Sequence, residues 1–257
     1  VKILLAIFTC LFGMTIGSFL NVLIYRIPRK LSIVKPNSFC PKCNKPIAWY
    51  ENIPVVSFLI LSGQCSKCHT PISLQYPLIE IITGAFFLYF FLQYDLSLTF
   101  LFYIVFFCLL TAISGIDLTH QIIPDVLSFP GIGIGLLHHL LYGNIISGIA
   151  GLIFGGGLIL IIRVVGGIVY KKEVMGMGDV FLCAMIGAFV GFPYIIAAIF
   201  FGALCGAVLG IFYIISTRQS RESPIPFGPF LSIGGLAVVL FRHLITKFFW
   251  TLGIFIK

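Results

Sequence analysis

The sequence predicts an all-α polytopic membrane protein of about eight transmembrane helices, with one small domain in a loop outside the bilayer. Three observations lead there. Of the 257 residues, 60% are hydrophobic and 9% are charged, where a soluble domain carries roughly 25% charge. The apolar runs are long and continuous, unlike the alternating strands of about ten residues that build membrane β-barrels. Polar residues collect in a single stretch, 26–76.

The expected spans are 3–25, 77–94, 98–116, 122–142, 145–167, 178–192, 194–215 and 227–241, the sixth short and tilted or partly buried. The first reads as a span, not a signal peptide. It is apolar to Tyr25, has no basic start beyond Lys2, and shows no small-residue cleavage site before Arg26. Alternating spans put three basic groups on one side: Arg26, Arg29, Lys30, Lys35, Lys42, Lys45 and Lys67; Arg163, Lys171 and Lys172; and Arg218 and Arg221. The opposite loops have no Lys or Arg. The positive-inside rule makes the first side cytoplasmic and the N-terminus external. This explains most of the +8 net charge without nucleic acid or another anionic partner; the lipid bilayer is the partner expected. Arg242, Lys247 and Lys257 disagree, so either the tail lies along the interface or the last boundaries shift. Gly151/Gly155, Gly187/Gly191 and Gly202/Gly206/Gly210 recur every four residues, a signal for close helix contact.

Cys10, Cys108, Cys183 and Cys205 fall in spans and read as small apolar filler. The other four read "CPKC" (Cys40, Cys43) and "CSKC" (Cys65, Cys68), separated by 21 residues. Each C-x2-C can turn two thiolates toward one ion, and two such pairs complete a tetrahedral zinc site. Two disulfides are the alternative, disfavoured in a reducing cytoplasmic loop. Four thiolates leave no open position, so the zinc is structural, and a metal clip suits a polar segment too small for much core. His69 is a possible substitute ligand. The fold class is thus completed as a membrane helix bundle with a small zinc-binding cytoplasmic loop domain. The domains expected are 1–25, a first transmembrane helix; 26–76, the four-cysteine loop; and 77–257, the membrane catalytic region.

Among eight acids, Glu51, Asp95, Glu173 and Glu222 read as solvated loop residues. Asp117 ends span three and Asp179 starts span six, so both fall at the cytoplasmic face on helix ends able to approach. A pair of carboxylates sharing one proton is the apparatus of aspartic proteolysis. An ion-coupled transporter using the two acids as a relay is the alternative. Gly176 and Gly178, preceding Asp179, would let a substrate strand come close; equally, Asp179 would serve as a helix cap. Asp125, after Pro124, reads as a turn or cap. Glu80 is open between pairing with a basic residue and ligand binding.

The ordered set of motifs resembles the type IV prepilin peptidase family (prepilin leader peptidase/N-methyltransferase) over nearly the whole chain. It comprises "GSFLNVLIYRIP" (17–28), both cysteine pairs, "YPLIE" (76–80), "IDLTHQIIPD" (116–125), "GMGD" (176–179) and "PFGPFL" (226–231). The resemblance implies a membrane GxGD aspartic peptidase of the bacterial inner membrane with Asp117 and Asp179 catalytic. It implies cleavage of the leader of prepilins or pseudopilins on the cytoplasmic side, after a glycine, in type IV pilus assembly or protein secretion. It further implies N-methylation of the new N-terminal residue from S-adenosyl-L-methionine, with the cysteine loop tied to that step and Gly63 similar to a position linked to it. No nucleotide-binding loop is visible, so the methyl-donor site is not located. No oligomeric state is specified.

Overall fold

The computed structural model describes residues 1–217 and 226–251. Arg218, Arg221, Glu222 and Lys257 lie outside them. Ten α-helices occur among the described residues: α1 (Lys2–Arg26), α2 (Val56–Ile60), α3 (Gln75–Tyr94), α4 (Leu98–His120), α5 (Asp125–Leu141), α6 (Ile145–Tyr170), α7 (Met177–Val190), α8 (Tyr194–Thr217), α9 (Gly228–Leu240) and α10 (Arg242–Thr251). The chain divides into two compact units, Val1–Ala112 and Ile113–Lys257, with the boundary inside α4.

In the first unit α1 and α3 lie against each other where side chains are absent. A Cβ on Gly13 would stand 2.7 Å from Phe87 Cβ, and one on Gly17 would stand 2.7 Å from Glu80 Cα. Gly84 answers from α3, its virtual Cβ 2.7 Å from Met14 Cγ. Glycines four apart on α1 thus lay one bare helix face on its neighbour. Phe86 stacks on Phe107 at 4.4 Å, and Phe90, Tyr94 and Tyr103 continue the aromatic layer.

In the second unit α7 is the core. Val180 and every residue from Leu182 to Val190 are buried, under α5, α6, α8 and α9. The glycine repeats explain the closeness. A side chain on Gly151 of α6 or Gly187 of α7 would be driven into the other helix's backbone, and a Cβ on Gly202 of α8 would stand 2.9 Å from the Phe230 carbonyl of α9.

Eight apolar helices, α1 and α3–α9, match the expected spans one for one, but the expectation of eight transmembrane helices is corrected. Among the described residues, five are long and apolar enough to cross a membrane: α1, α3, α4, α6 and α8. The bent pair α9–α10 makes six if it counts as one span. The reason is length. Helix α7 has 14 residues, about 21 Å at 1.5 Å per residue, against a hydrocarbon core of about 30 Å. A helix enclosed by others need not match the bilayer. The basic tail residues Arg242 and Lys247 sit on α10, bent 81° from α9, with Ile245 and Phe249 buried and Leu244, Phe248 and Trp250 exposed. That is the amphipathic arrangement of a helix lying along an interface.

Replacing Gly187 by Val should force α6 and α7 apart at their tightest crossing. We expect a lower thermal midpoint in detergent, equivalent to about 3 kcal/mol of overpacking; an unchanged midpoint would show that the crossing yields.

Candidate active site

Two carboxylates of the second unit are each seated on the first turn of a helix. Asp117 lies in the last turn of α4, buried, and its Oδ2 accepts the Gly228 N–H at 2.9 Å. Gly228 opens α9, where backbone N–H groups have no intrahelical acceptor and the helix dipole favours negative charge. A Cβ on Gly228 would stand 2.7 Å from the same Oδ2, so the carboxylate reaches the helix end only because residue 228 has no side chain. Asp179 is the third residue of α7, half-buried, and its Oδ2 accepts the Gly176 N–H at 3.1 Å. The acid therefore closes the helix start from inside the first turn, and Gly176 is the cap position. Asp117 and Asp179 lie within electrostatic reach of each other.

The glycines of "GMGD" differ in role from the sequence expectation. A Cβ on Gly178 would stand 2.6 Å from Ile123 Cβ. Gly178 is bare because the "QIIPD" turn after α4 presses on it, and the space is filled by protein. Asp125 is exposed and opens α5. Glu80, on α3 in the first unit, is buried and accepts the Val55 N–H at 2.8 Å.

Cys40, Cys43, Cys65 and Cys68 bring their sulfurs within 4.8 Å of one another. The Cys40–Cys68 and Cys43–Cys65 separations are 3.8 and 4.0 Å. A tetrahedral zinc with Zn–S bonds of about 2.3 Å needs edges of about 3.8 Å, whereas a disulfide needs about 2.05 Å. The cluster is thus compatible with zinc and lacks the geometry of disulfides. The two pairs are copies of one turn. Cys40 N–H bonds Lys45 O and Asn44 N–H bonds Cys40 O; Cys65 N–H bonds Thr70 O and His69 N–H bonds Cys65 O, all at 2.9 Å. Asn44 and His69 have φ of 55° and 53°, and Phe39–Pro46 and Gln64–Pro71 close each turn as β-bridges. His69 is therefore the left-handed residue of its turn and stands outside the four-sulfur cluster. The Thr70 hydroxyl and N–H hold the Cys68 thiol down to about 6, and the N–H groups of Cys68 and Lys67 lower Cys65. Those two shifts favour thiolates, whereas, against the Lys45 N–H, desolvation and the neighbouring Cys68, Cys40 and Cys65 thiols push Cys43 up to about 11; the sulfur geometry, not the titration, carries the metal reading.

Glu51 corrects an expectation. It is bonded to Lys45 Nζ at 2.8 Å, Ser66 Oγ at 2.6 Å and Ala48 N–H at 3.2 Å, and so ties one cysteine turn to the other. Arg26 anchors the loop to α1, donating to the carbonyls of Ser32, Pro36 and Asn37 while buried. Asp95 and Glu173 are ion-paired at the surface, with Lys2 at 3.0 Å and Arg163 at 3.1 Å. Three features escaped the sequence reading: the Gly228–Asp117 bond, the Glu51 clamp and the repeated turn. The "PFGPFL" motif pointed to the first, and the shared pattern C-x-K-C-x-x-P-I in 40–47 and 65–72 to the third.

A multi-pass helical membrane protein with two aspartates on helix N-termini and a separate four-cysteine loop is the class that this architecture defines. The chain belongs to the type IV leader peptidase family. The model of that family matches residues 104–211, and the model of the bacterial peptidase A24 N-terminal domain matches residues 11–94. Among curated relatives, a prepilin leader peptidase/N-methyltransferase of Myxococcus xanthus is 37% identical over 84% of this chain and 65% of its own length, so the chain spans just under two thirds of it. A protein of the same name from Pseudomonas aeruginosa is 33% identical over 93% of this chain and 91% of its own. A type 4 prepilin-like proteins leader peptide-processing enzyme of Escherichia coli is 34% identical over 90% and 92%. No solved structure matches the chain.

Glu51 is held down to about 2 by its bonds to Lys45, Ser66 and Ala48. A depressed carboxylate stabilises the fold above its ordinary value of 4.5, and the contribution is lost as pH falls through about 2. At neutral pH, Glu51→Gln should speed amide exchange in 45–52 and 64–70 by about tenfold, the scale of losing a charge-assisted hydrogen bond. Unaltered exchange by mass spectrometry would remove the clamp.

Proposed function

We propose that this protein is a prepilin leader peptidase in which Asp117 and Asp179 form the catalytic pair, and an N-methyltransferase of the cleaved product. The observation that supports the first activity best is the shared seating of the two carboxylates in one unit, each with one oxygen engaged by a helix N–H. That leaves an oxygen on each for chemistry. One aspartate draws a proton from water, which attacks the scissile carbonyl; the other, protonated, donates to the carbonyl oxygen and then assists the leaving amine. Both acids stand near helix ends, unlike the mid-bilayer acids of a proton relay.

In this reading the chain serves type IV prepilins or pseudopilins in a bacterial inner membrane. The N-terminus is outside, and the cysteine loop and both aspartates face the cytoplasm. The basic residues of the loop and of 163–172 support that orientation. The first helix, the four-cysteine loop of 26–76 and the peptidase region of 77–257 are its functional parts. Cys40, Cys43, Cys65 and Cys68 hold one structural zinc. S-adenosyl-L-methionine, when bound, supplies the methyl group; the names of the relatives support that activity. Gly63 contributes to the methyl-transfer half.

Detergent-solubilised protein incubated with a leader-bearing prepilin and read by product mass tests the pair. Asp117→Asn and Asp179→Asn should each abolish cleavage; cleavage by both would reject the assignment. Gly228→Ala should lower kcat by roughly 100-fold with KM little changed, because a misplaced catalytic group fails at the chemical step. Replacing Cys40 and Cys43 together by serine should remove zinc from the purified protein, measured by elemental analysis.

A further inference from the structure

The first unit encloses a cavity of about 400 Å3 between the end of α1, the cysteine loop and the start of α3. That is within the usual range for small-molecule sites. Aromatic rings of Tyr25, Phe39, Phe58 and Tyr76 line it, with Asn21 and Glu80. Three features there are costly unless something repays them. Glu80 is an acid only 7% exposed, on an apolar helix, hydrogen-bonded by the Val55 N–H and the Ser18 side chain but with no basic side chain as ion-pair partner among the described residues. Asn21 is 3% exposed; its Nδ2 donates to the carbonyls of Gly17 and Tyr76, and its Oδ1 accepts nothing. Val55, whose N–H meets Glu80, holds φ at 62°, a strained value for a β-branched residue.

Two buried acceptors and several aromatic faces are what an organic cation requires. The basic groups on the wall do not supply it: Arg26 is engaged by three carbonyls and Lys45 by Glu51 and Ser66. Lys42, exposed at the cavity, remains for a carboxylate. An acidic and aromatic interior with a lysine outside fits a zwitterion carrying a sulfonium. We infer that this cavity is the binding site of the methyl donor, with Glu80 and Asn21 facing its cationic end. The inference rests on the methyltransferase reading above and gives that activity a location.

It also gives Gly63 a physical role. Gly63 does not line the cavity but stands at φ +69°, and a Cβ there would lie 3.1 Å from the Phe58 ring that does. A side chain at 63 would crowd the Phe58 ring and disturb that part of the cavity wall. Gly63 is a positioning residue, acting through Phe58.

Equilibrium dialysis of the full-length, zinc-loaded protein in detergent tests this, using labelled S-adenosylmethionine and its neutral product S-adenosylhomocysteine as probes. Wild type should bind the sulfonium more tightly than the thioether. Glu80→Gln keeps an acceptor for Val55 N–H but removes the charge. It should weaken the sulfonium by about tenfold or more, leave the thioether nearly unchanged, and so erase the preference. Gly63→Ala should weaken both probes alike, because it alters shape and not charge. Zinc content and thermal midpoint report folding of each variant independently. If wild type binds and methylates but both variants bind the two probes as wild type does, the donor sits elsewhere and the inference is overturned while the methyltransferase reading stands. If wild type neither binds the donor nor methylates a cleaved prepilin, that reading fails and the inference falls with it.

Discussion

An acid in an apolar helical protein must find its hydrogen-bond donors within the chain, and that constraint organises the second unit. Water cannot reach a buried carboxylate freely, and an unmet charge there is too costly to keep. The chain's answer is to begin a helix at each acid. The N–H groups that every helix leaves open at its start become the donors, each such contact contributing up to about 2 kcal/mol in a partly buried setting. Helix α9 starts at Gly228 against Asp117, and α7 starts around Asp179. The glycines follow: Gly228 admits the carboxylate, and Gly178 admits the turn that carries Ile123.

What was legible in the sequence was what composition and spacing encode directly. Long apolar runs gave eight helices in the right places, and the two C-x2-C pairs gave the sulfur cluster. Glycines at four-residue intervals marked real crossings at Gly151, Gly187 and Gly202. Whether a helix crosses the bilayer was not legible, because hydropathy treats lipid and protein surroundings alike. A run as apolar as 180–190 reads the same whether it faces acyl chains or four other helices.

Contacts distant in sequence were hidden for another reason. Asp117 and Gly228 are joined by a backbone N–H, which has no residue type to announce it. Glu51 looked solvated because its partners, Lys45 and Ser66, come from two different turns that only the folded loop brings together. Gly176 and Gly178 look equivalent on paper, yet one caps a helix and the other yields to a neighbour. Glu80 was undecidable because its partners are the main chain of Val55 and the Ser18 side chain, neither of them basic. The residue types were visible in each case; which distant main-chain or side-chain group met them was not.

The duplicated cysteine turn has a consequence for the cavity beneath it. Neither turn alone supplies four sulfurs, so an ion bound by all four would join residues 40–43 to 65–68 and close the intervening chain into a ring. Closing a loop of that size restricts the open chain by an entropy worth about 3 kcal/mol. The ring contains Val55 and Phe58, part of the cavity wall. A metal in the ring and an occupant of the cavity would then be thermodynamically linked: whatever factor the ion added to the affinity of the occupant, the occupant would return to the affinity of the ion. The aspartates stand apart from that linkage, since both belong to the other unit and lie outside the ring.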